Sequence, residues 1–381
     1  MKRVIEFAIC LLIVFSIVYM KPVISSYNQP KPKNDLVVEE VKVSHKSVPY
    51  YELNTTGMAN YIGMTEKEFL KEFPDPKKKW LSYNHSEWFV YGDSVTDYFQ
   101  VEMKNHVVSS IFVLGDKLDS APFTMGMNLA DLAEITTIFS NFNFEYGDEK
   151  YEVELTEDDM NYRPLVAFNN GTFAILHINQ GNGQLMAVRY LDKNSLLSIM
   201  PYEMNQVNHV KKNLGTDEEN WPKINEDNRD QLMTILNLLR EKENKEVYRL
   251  DSKLQVGATK SLEYLMNTPE KVIEDAERLD TWKVMVDDQT DSRSFLLNEK
   301  EINHLAKEFS LDSKKTHGIF YFPVTDVPFM MTNWYGSRFY HEEVSRKEDK
   351  YIGISFNQEM VMTFLGSENK PEQTRESSGE K

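Results

Sequence analysis

VPFMMTNWYGSRFYHEEVSRKEDKYIGISFNQEMVMTFL, residues 327–365, is the stretch on which the fold turns. Val327-Pro328 opens an apolar segment that carries Trp334, and a polar turn follows it. Residues 351–356 and 359–365 then read as two strands joined at Asn357-Gln358.

Upstream of that stretch the apolar period changes to that of helices. Over 228–243, Leu232, Ile235, Leu236 and Leu239 fall on one face. Leu250-Asp251 leads into a second helix, capped by Asp251, whose Leu254, Ala258, Ser261, Leu262 and Leu265 align. Thr268-Pro269 starts a short third, since proline at the first helical position forfeits no hydrogen bond. Residues 298–309 give another, with Ile302, Leu305 and Phe309 inward. Helices and strands thus build an α+β domain over 227–366, preceded by a polar linker at 203–226 and followed by a disordered acidic tail at 367–381.

The segment 57–202 is written twice. Ile62-Gly63-Met64-Thr65 in one copy (about 61–118) is echoed by Met125-Gly126-Met127-Asn128 in the other (about 125–195). Thr65 with Glu68, and Asn128 with Asp131, can each close a capping box. Phe69, Leu70 and Phe73 stripe the first helix; Leu129, Leu132 and Ala133 stripe the second. Strand-like runs follow at 88–91, 98–103 and 107–114 in the first copy. In the second they fall at 151–155, 165–168, 172–178 and 185–191, with Asn170-Gly171 as a hairpin turn. Each copy reads as one helix over a small antiparallel sheet.

At the other end, Lys2-Arg3 precede an apolar run over 4–20, within a segment 1–21 that reads as an export signal or membrane anchor. About 17 residues at about 1.5 Å each span about 25 Å, enough for a thin bilayer. Whether the run is kept as an anchor or cleaved, the remainder lies outside the membrane. Cys10, the one cysteine, sits inside that run, so the rest of the chain forms no internal disulfide. Residues 22–56 hold Pro22, Pro30, Pro32 and Pro49 among charges and read as an extended stalk. A formal charge of −17, from 43 basic and 60 acidic residues, argues against nucleic acid as partner.

Trp334, Ser337 and Ile352-Gly353-Ile354 stand where the superfamily of cysteine-rich secretory, antigen-five and pathogenesis-related proteins (CAP) has its Trp-x-Asn-Ser-x-x-His-Arg turn and Gly-containing strand. The Leu-Asp-x-x-Leu-x-x-x-Ala order from Leu250 resembles the same superfamily, and the doubled Gly-Met unit looks like the CAP-associated N-terminal domain of its bacterial members. The resemblance implies an α-β-α sandwich over 227–366. It also implies a cleft where family histidines and glutamates gather, binding zinc in some members. Here the second family histidine is replaced by Tyr340, with His341 one residue late. No histidine lies between His209 and His304 to supply the first, and 316–321 brings no acid.

The resemblance therefore implies a non-catalytic interaction or ligand-binding module of the bacterial cell envelope, with no cofactor. Trp334, Tyr335, Phe339, Tyr340 and His341 are the ligand-binding candidates, for an envelope protein, peptide, glycan or lipid. Those aromatics fill the vacated cleft or line a groove. The competing expectation is a metal-assisted hydrolase acting on peptide or wall substrate, its metal held by a rebuilt set drawn from His317, His341, Glu342 and Glu343. Ser337 reads as a backbone cap, and Asp158-Asp159 as solvated loop.

Overall fold

The structure, a computed structural model, describes residues 49–82, 86–204, 220–287 and 294–367, all within one compact unit. The apolar run at 4–20, most of the linker and the tail beyond 367 lie outside the described residues. Among the described residues no helix is long and apolar enough to cross a membrane.

The first copy runs from β1 (Glu52–Leu53) through helix α1 (Glu66–Glu72) to β2 (Lys78–Leu81), β3 (Glu87–Tyr91), β4 (Phe99–Lys104) and β5 (Val107–Val113). The second supplies α2 (Leu129–Ile135), the hairpin β6 (Asn141–Tyr146) and β7 (Glu149–Glu154), and α3 (Glu157–Tyr162). It closes with β8 (Leu165–Phe168), β9 (Phe173–Ile178), β10 (Leu185–Leu191), α4 (Lys193–Ile199) and β11 (Glu203–Met204).

Both copies start on one device. Gly63 and Gly126 hold φ at +87° and +90°, a region that disfavours side chains. The Gly63 N–H donates to the Val108 carbonyl (2.8 Å) and the Val108 N–H returns a bond to Met64 (2.9 Å). Gly126, Leu185 and Met127 repeat that pair at 2.8 and 2.7 Å. The motif so clips each helix start to the last strand of its own copy, and both capping boxes close.

The two half-sheets are not separate. They form one eight-stranded sheet, in the order β1-β8-β9-β10-β5-β4-β3-β2. At the junction Val188 faces Val113 and Tyr190 faces Ile111. Since Leu185 takes the place of Val108, these two pairs exchange under a local two-fold axis through Arg189 and Phe112. Each half-sheet satisfies the other's open edge, which a pair of independent small sheets would leave exposed. The stalk expected up to residue 56 also ends early: β1 pairs in parallel with β8, and Thr55 Oγ1 bonds Asn169 (2.7 Å).

In the C-terminal half, α5 (Trp221–Lys242) begins inside the stretch read as linker, with Pro222 tolerated in its first turn. Then come β12 (Arg249–Leu250), α6 (Ser252–Asn267), α7 (Pro269–Val272), α8 (Ala276–Asp287), β13 (Phe295–Leu296) and α9 (Glu299–Glu308). β14 (Thr316–Phe322), α10 (Val327–Gly336), α11 (Arg338–Val344), β15 (Tyr351–Asn357) and β16 (Met360–Gly366) complete it. The polar turn after Trp334 therefore contains a helix, α11. Ser337 precedes it without making a side-chain cap bond, contrary to the capping role expected of it.

The second sheet is ordered β12-β15-β16-β14-β13. Along β16 the period of two is plain: Val361 and Leu365 pack towards α5 and α10, Met360, Met362 and Phe364 towards α6 and α9. That is an α-β-α sandwich. Its inner helix layer has a second neighbour. Trp80, Trp88, Tyr98 and Phe112 of the eight-stranded sheet share one core with Leu232, Ile235, Leu236 and Leu239 of α5 and with Met330, Met331, Trp334 and Tyr335 of α10. On the opposite face of that sheet, Phe69 and Leu132 bring α1 and α2 into contact.

A polar seam crosses the shared core. The Arg189 guanidinium lies over the Trp88 ring (4.4 Å) and its Nη2 donates to Asp326 (2.7 Å), which itself caps α10 by accepting from the Phe329 N–H. Gln231 of α5 donates to Gln100 of β4 (2.5 Å). Glu243 Oε1 accepts from Asn179 (2.8 Å) and faces His341 Nε2 (3.0 Å). Burial alone would raise the Glu243 carboxyl; bonds from His341, Lys245 and Asn179 outweigh it and hold it down, from 4.5 to about 2.

Three outcomes follow from this packing. Gly63→Ala and Gly126→Ala should each destabilise by about 1 kcal/mol in denaturant titration, equally in both copies. A Cβ at either position meets no atom within 4 Å, so only backbone strain remains. Trp334→Ala should lose about 3–5 kcal/mol by the same measurement. A carboxylate held below its unfolded pKa adds stability that is present above about 4.5 and lost as pH falls towards about 2. Acid titration of Glu243→Gln should therefore show a shallower loss of stability across that window than the parent.

Candidate functional site

The five ligand-binding candidates separate into three environments. Trp334 and Tyr335, on α10, are 1% and 0% exposed and belong to the shared core. His341 turns towards the N-terminal half: its Nε2 meets Glu243 at the end of α5, and Gly181 backs onto it so closely that a Cβ there would stand 2.6 Å from the ring. Phe339 is 66% exposed, and Tyr340 stacks on the outer side of the Trp334 ring at 5.9 Å. Only Phe339 and Tyr340 remain open to a ligand.

They form one wall of a groove of about 740 Å³. The opposite wall is the start of α9, with Leu297 and Ile302, and the floor is β14. Alternation along β14 turns His317 to the same side as Ile319, where its Nε2 lies 3.3 Å from Glu343 Oε2 and 3.4 Å from Asp349 Oδ2. The Glu343 carbonyl is 3.2 Å from the same nitrogen. Arg346 donates to the other Glu343 oxygen at 2.6 Å. Burial pushes the Asp349 carboxyl up, and the neighbouring His317 pulls it back. One imidazole nitrogen thus stands within ion-pair distance of two carboxylates.

The loop that carries these acids is fixed from α5. Arg240 is fully buried, its guanidinium over the Tyr248 ring at 3.9 Å. It donates to the carbonyls of Glu246 (2.7 Å), Val344 (3.1 Å), Arg346 (3.1 Å) and Asp349 (3.0 Å). A planar cation with several diverging donors can tie a turn at many points at once; an ammonium could not.

The rebuilt metal set does not assemble. His341 pairs with Glu243, His317 with Glu343 and Asp349, and Glu342 is an exposed residue beside Arg338 (3.8 Å). Adjacent residues on one helix point about 100° apart, which sends His341 and Glu342 to different neighbours. Among the described residues no three His, Cys, Asp or Glu side chains gather so as to hold a metal ion.

A second cavity, of about 530 Å³, lies between α3, α4 and α10. Here Asp159 is buried, closing a capping box with Thr156 and pairing with Arg163 (2.5 Å), so the expected solvated loop at Asp158-Asp159 is the first turn of a helix. Arg163 in turn donates to Asn333 (3.0 Å), stitching the two halves together.

Sequence reasoning put His317 and Glu343 in one candidate set but missed Asp349 as their neighbour. The signal available was the alternation that sets His317 on one face of a strand; nothing local announces that Asp349 returns to it.

Comparison with known proteins bears on both halves. Residues 62–202 match the family model described as CAP-associated N-terminal. Over 212 residues, 56% of this chain and 61% of the other, the chain is 24% identical to the "uncharacterized membrane protein YlbC" of Bacillus subtilis. A cysteine-rich secretory protein of Staphylococcus aureus superposes with a TM-score of 0.65 at 17% identity, over 84% of this chain and 98% of its own. An extracellular protein containing a SCP domain, from Bacillus anthracis, does so with 0.64 at 17%, over 85% and 99%. Residues 62–202 thus match the CAP-associated N-terminal family, and the chain as a whole has the fold of these SCP proteins.

Proposed function

We propose that this protein is an extracytoplasmic, non-catalytic interaction module of the bacterial cell envelope, tethered or exported through residues 4–20, with the groove beside Phe339 as its ligand seat. The observation that carries the reading is Phe339 itself: a large apolar ring, 66% exposed, at the mouth of a cavity of about 740 Å³. Concave apolar walls with a few polar groups are the usual setting for ligand binding. The relatives support the location, one being described as extracellular and another as a membrane protein.

The hydrolase reading draws on one observation, the imidazole of His317 between two carboxylates. It is separable by assay. If the full chain hydrolyses peptide or purified wall and His317→Ala abolishes this, the non-catalytic reading fails.

A photo-crosslinking phenylalanine analogue tests the seat directly. Placed at 339 in living cells, it should capture a discrete envelope component that the same analogue at Val284, exposed on α8, does not. Protease added to cells stripped of their wall should digest the chain while a cytoplasmic marker survives. Equal capture from both positions, or protection of the chain, would contradict the proposal.

A further inference from the structure

β14 is paired on one side along its whole length and on the other only at its end. Towards β16 the register is continuous, from Thr316 opposite Gly366 to Tyr321 opposite Val361. The Ser367 N–H donates to the Lys315 carbonyl (3.4 Å), and Thr363 Oγ1 donates to the Ile319 carbonyl (3.2 Å). In an antiparallel ladder this sets the odd-numbered residues of β14 to bond β16 and turns the N–H and C=O of Thr316, Gly318 and Phe320 the other way. β13 reaches only Tyr321 and Phe322. Among the described residues no strand covers the edge from Thr316 to Phe320, and that edge is the floor of the groove.

The far side of the same sheet shows what a closed edge looks like. β12 pairs with Tyr351 and Ile352. Where β12 stops, the Gln255 side chain takes over, donating to the Ile354 carbonyl (2.6 Å) and accepting from its N–H (3.1 Å). A side-chain amide thus stands in for a missing strand. Sheet edges are commonly blunted in this manner. Among the described residues nothing equivalent stands at Gly318.

Lys314 and Lys315 also line the groove but are exposed to water, so its buried charges select the kind of chain that would fit. Arg278 is engaged twice by Glu301, and Arg346 by Glu343. Asp349 is 3% exposed and lines the groove, yet among the described residues its Oδ2 has no hydrogen-bond donor; its near neighbour of opposite potential charge is His317 at 3.4 Å. A buried carboxylate oxygen in that state calls for a donor.

We infer that the groove takes an extended polypeptide segment carrying a lysine or arginine, which adds to β14 as a further strand, its backbone bonding Thr316, Gly318 and Phe320 while the basic side chain meets Asp349 and an apolar one meets Phe339. Strand addition draws affinity from main-chain bonds and specificity from the pockets beside them. The inference rests on the groove being the ligand seat and names what the seat recognises.

The test uses the purified full chain and three fluorescein-labelled heptapeptides: alternating valine and lysine, alternating valine and glutamate, and the valine–lysine peptide N-methylated at every residue. The first should bind by anisotropy at about 1 mM or below and slow amide exchange at Gly318 and Phe320 by about tenfold. The glutamate peptide should bind more weakly, and the N-methylated one, which keeps its charges but has no main-chain N–H donors, should not bind. Phe339→Ala, altering an exposed side chain, should weaken the first peptide without changing the melting temperature. No binding, equal binding of the N-methylated peptide, or binding without slowed exchange at β14 would each overturn strand addition. A crosslink captured at 339 in cells, together with unchanged exchange at β14, would leave the seat in place and remove only this mode of occupancy.

Discussion

A helix that is apolar on every side has to be covered on every side, and α10 is such a helix. Of its residues Val327–Gly336, Val327, Pro328, Met330, Met331, Thr332, Trp334 and Tyr335 are all buried. Five strands of the C-terminal sandwich can cover one flank of α10 and α5. The other flank would face water, and burying a large apolar side chain is worth about 1.5–3 kcal/mol. The eight-stranded sheet supplies that second cover through Trp80, Trp88, Tyr98 and Phe112. The two halves are therefore parts of one core, and their polar seam, Arg189 to Asp326 and Gln231 to Gln100, fixes how the sheet seats on the helices.

The same constraint sorts the aromatic residues by role. Trp334 and Tyr335 are spent on the inner layer, while the short helix α11 carries Phe339 and Tyr340 outward to the groove. Arg240 links the two levels. It issues from α5 within the core and holds the carbonyls of Val344, Arg346 and Asp349, so the position of the groove's acids is set by how α5 is buried.

Local features were readable because their causes are local. Both capping boxes, the helix stripe at Leu232, Ile235, Leu236 and Leu239, the Asp251 cap and the strand pair at the chain's end all rest on residues a few positions apart. The hairpin strand β6 went unread: Phe142 and Phe144 alternate before Gly147, but their polar neighbours hid the strand. What periodicity could not state is what lies against an apolar face. That Trp334 meets a second sheet rather than a ligand, that β5 pairs with β10, and that His317 meets Asp349 are contacts between residues remote in the chain, with no signature at either end.

The local two-fold axis through Arg189 and Phe112 has a consequence for how such a sheet could arise. Two identical half-length polypeptides, docking edge to edge through their last strands, would generate the same central pairing. Fusing them makes that association independent of concentration, and it releases the copies to diverge. One copy has a phenylalanine on the axis and the other an arginine, so the internal symmetry point also serves to anchor α10 through Asp326.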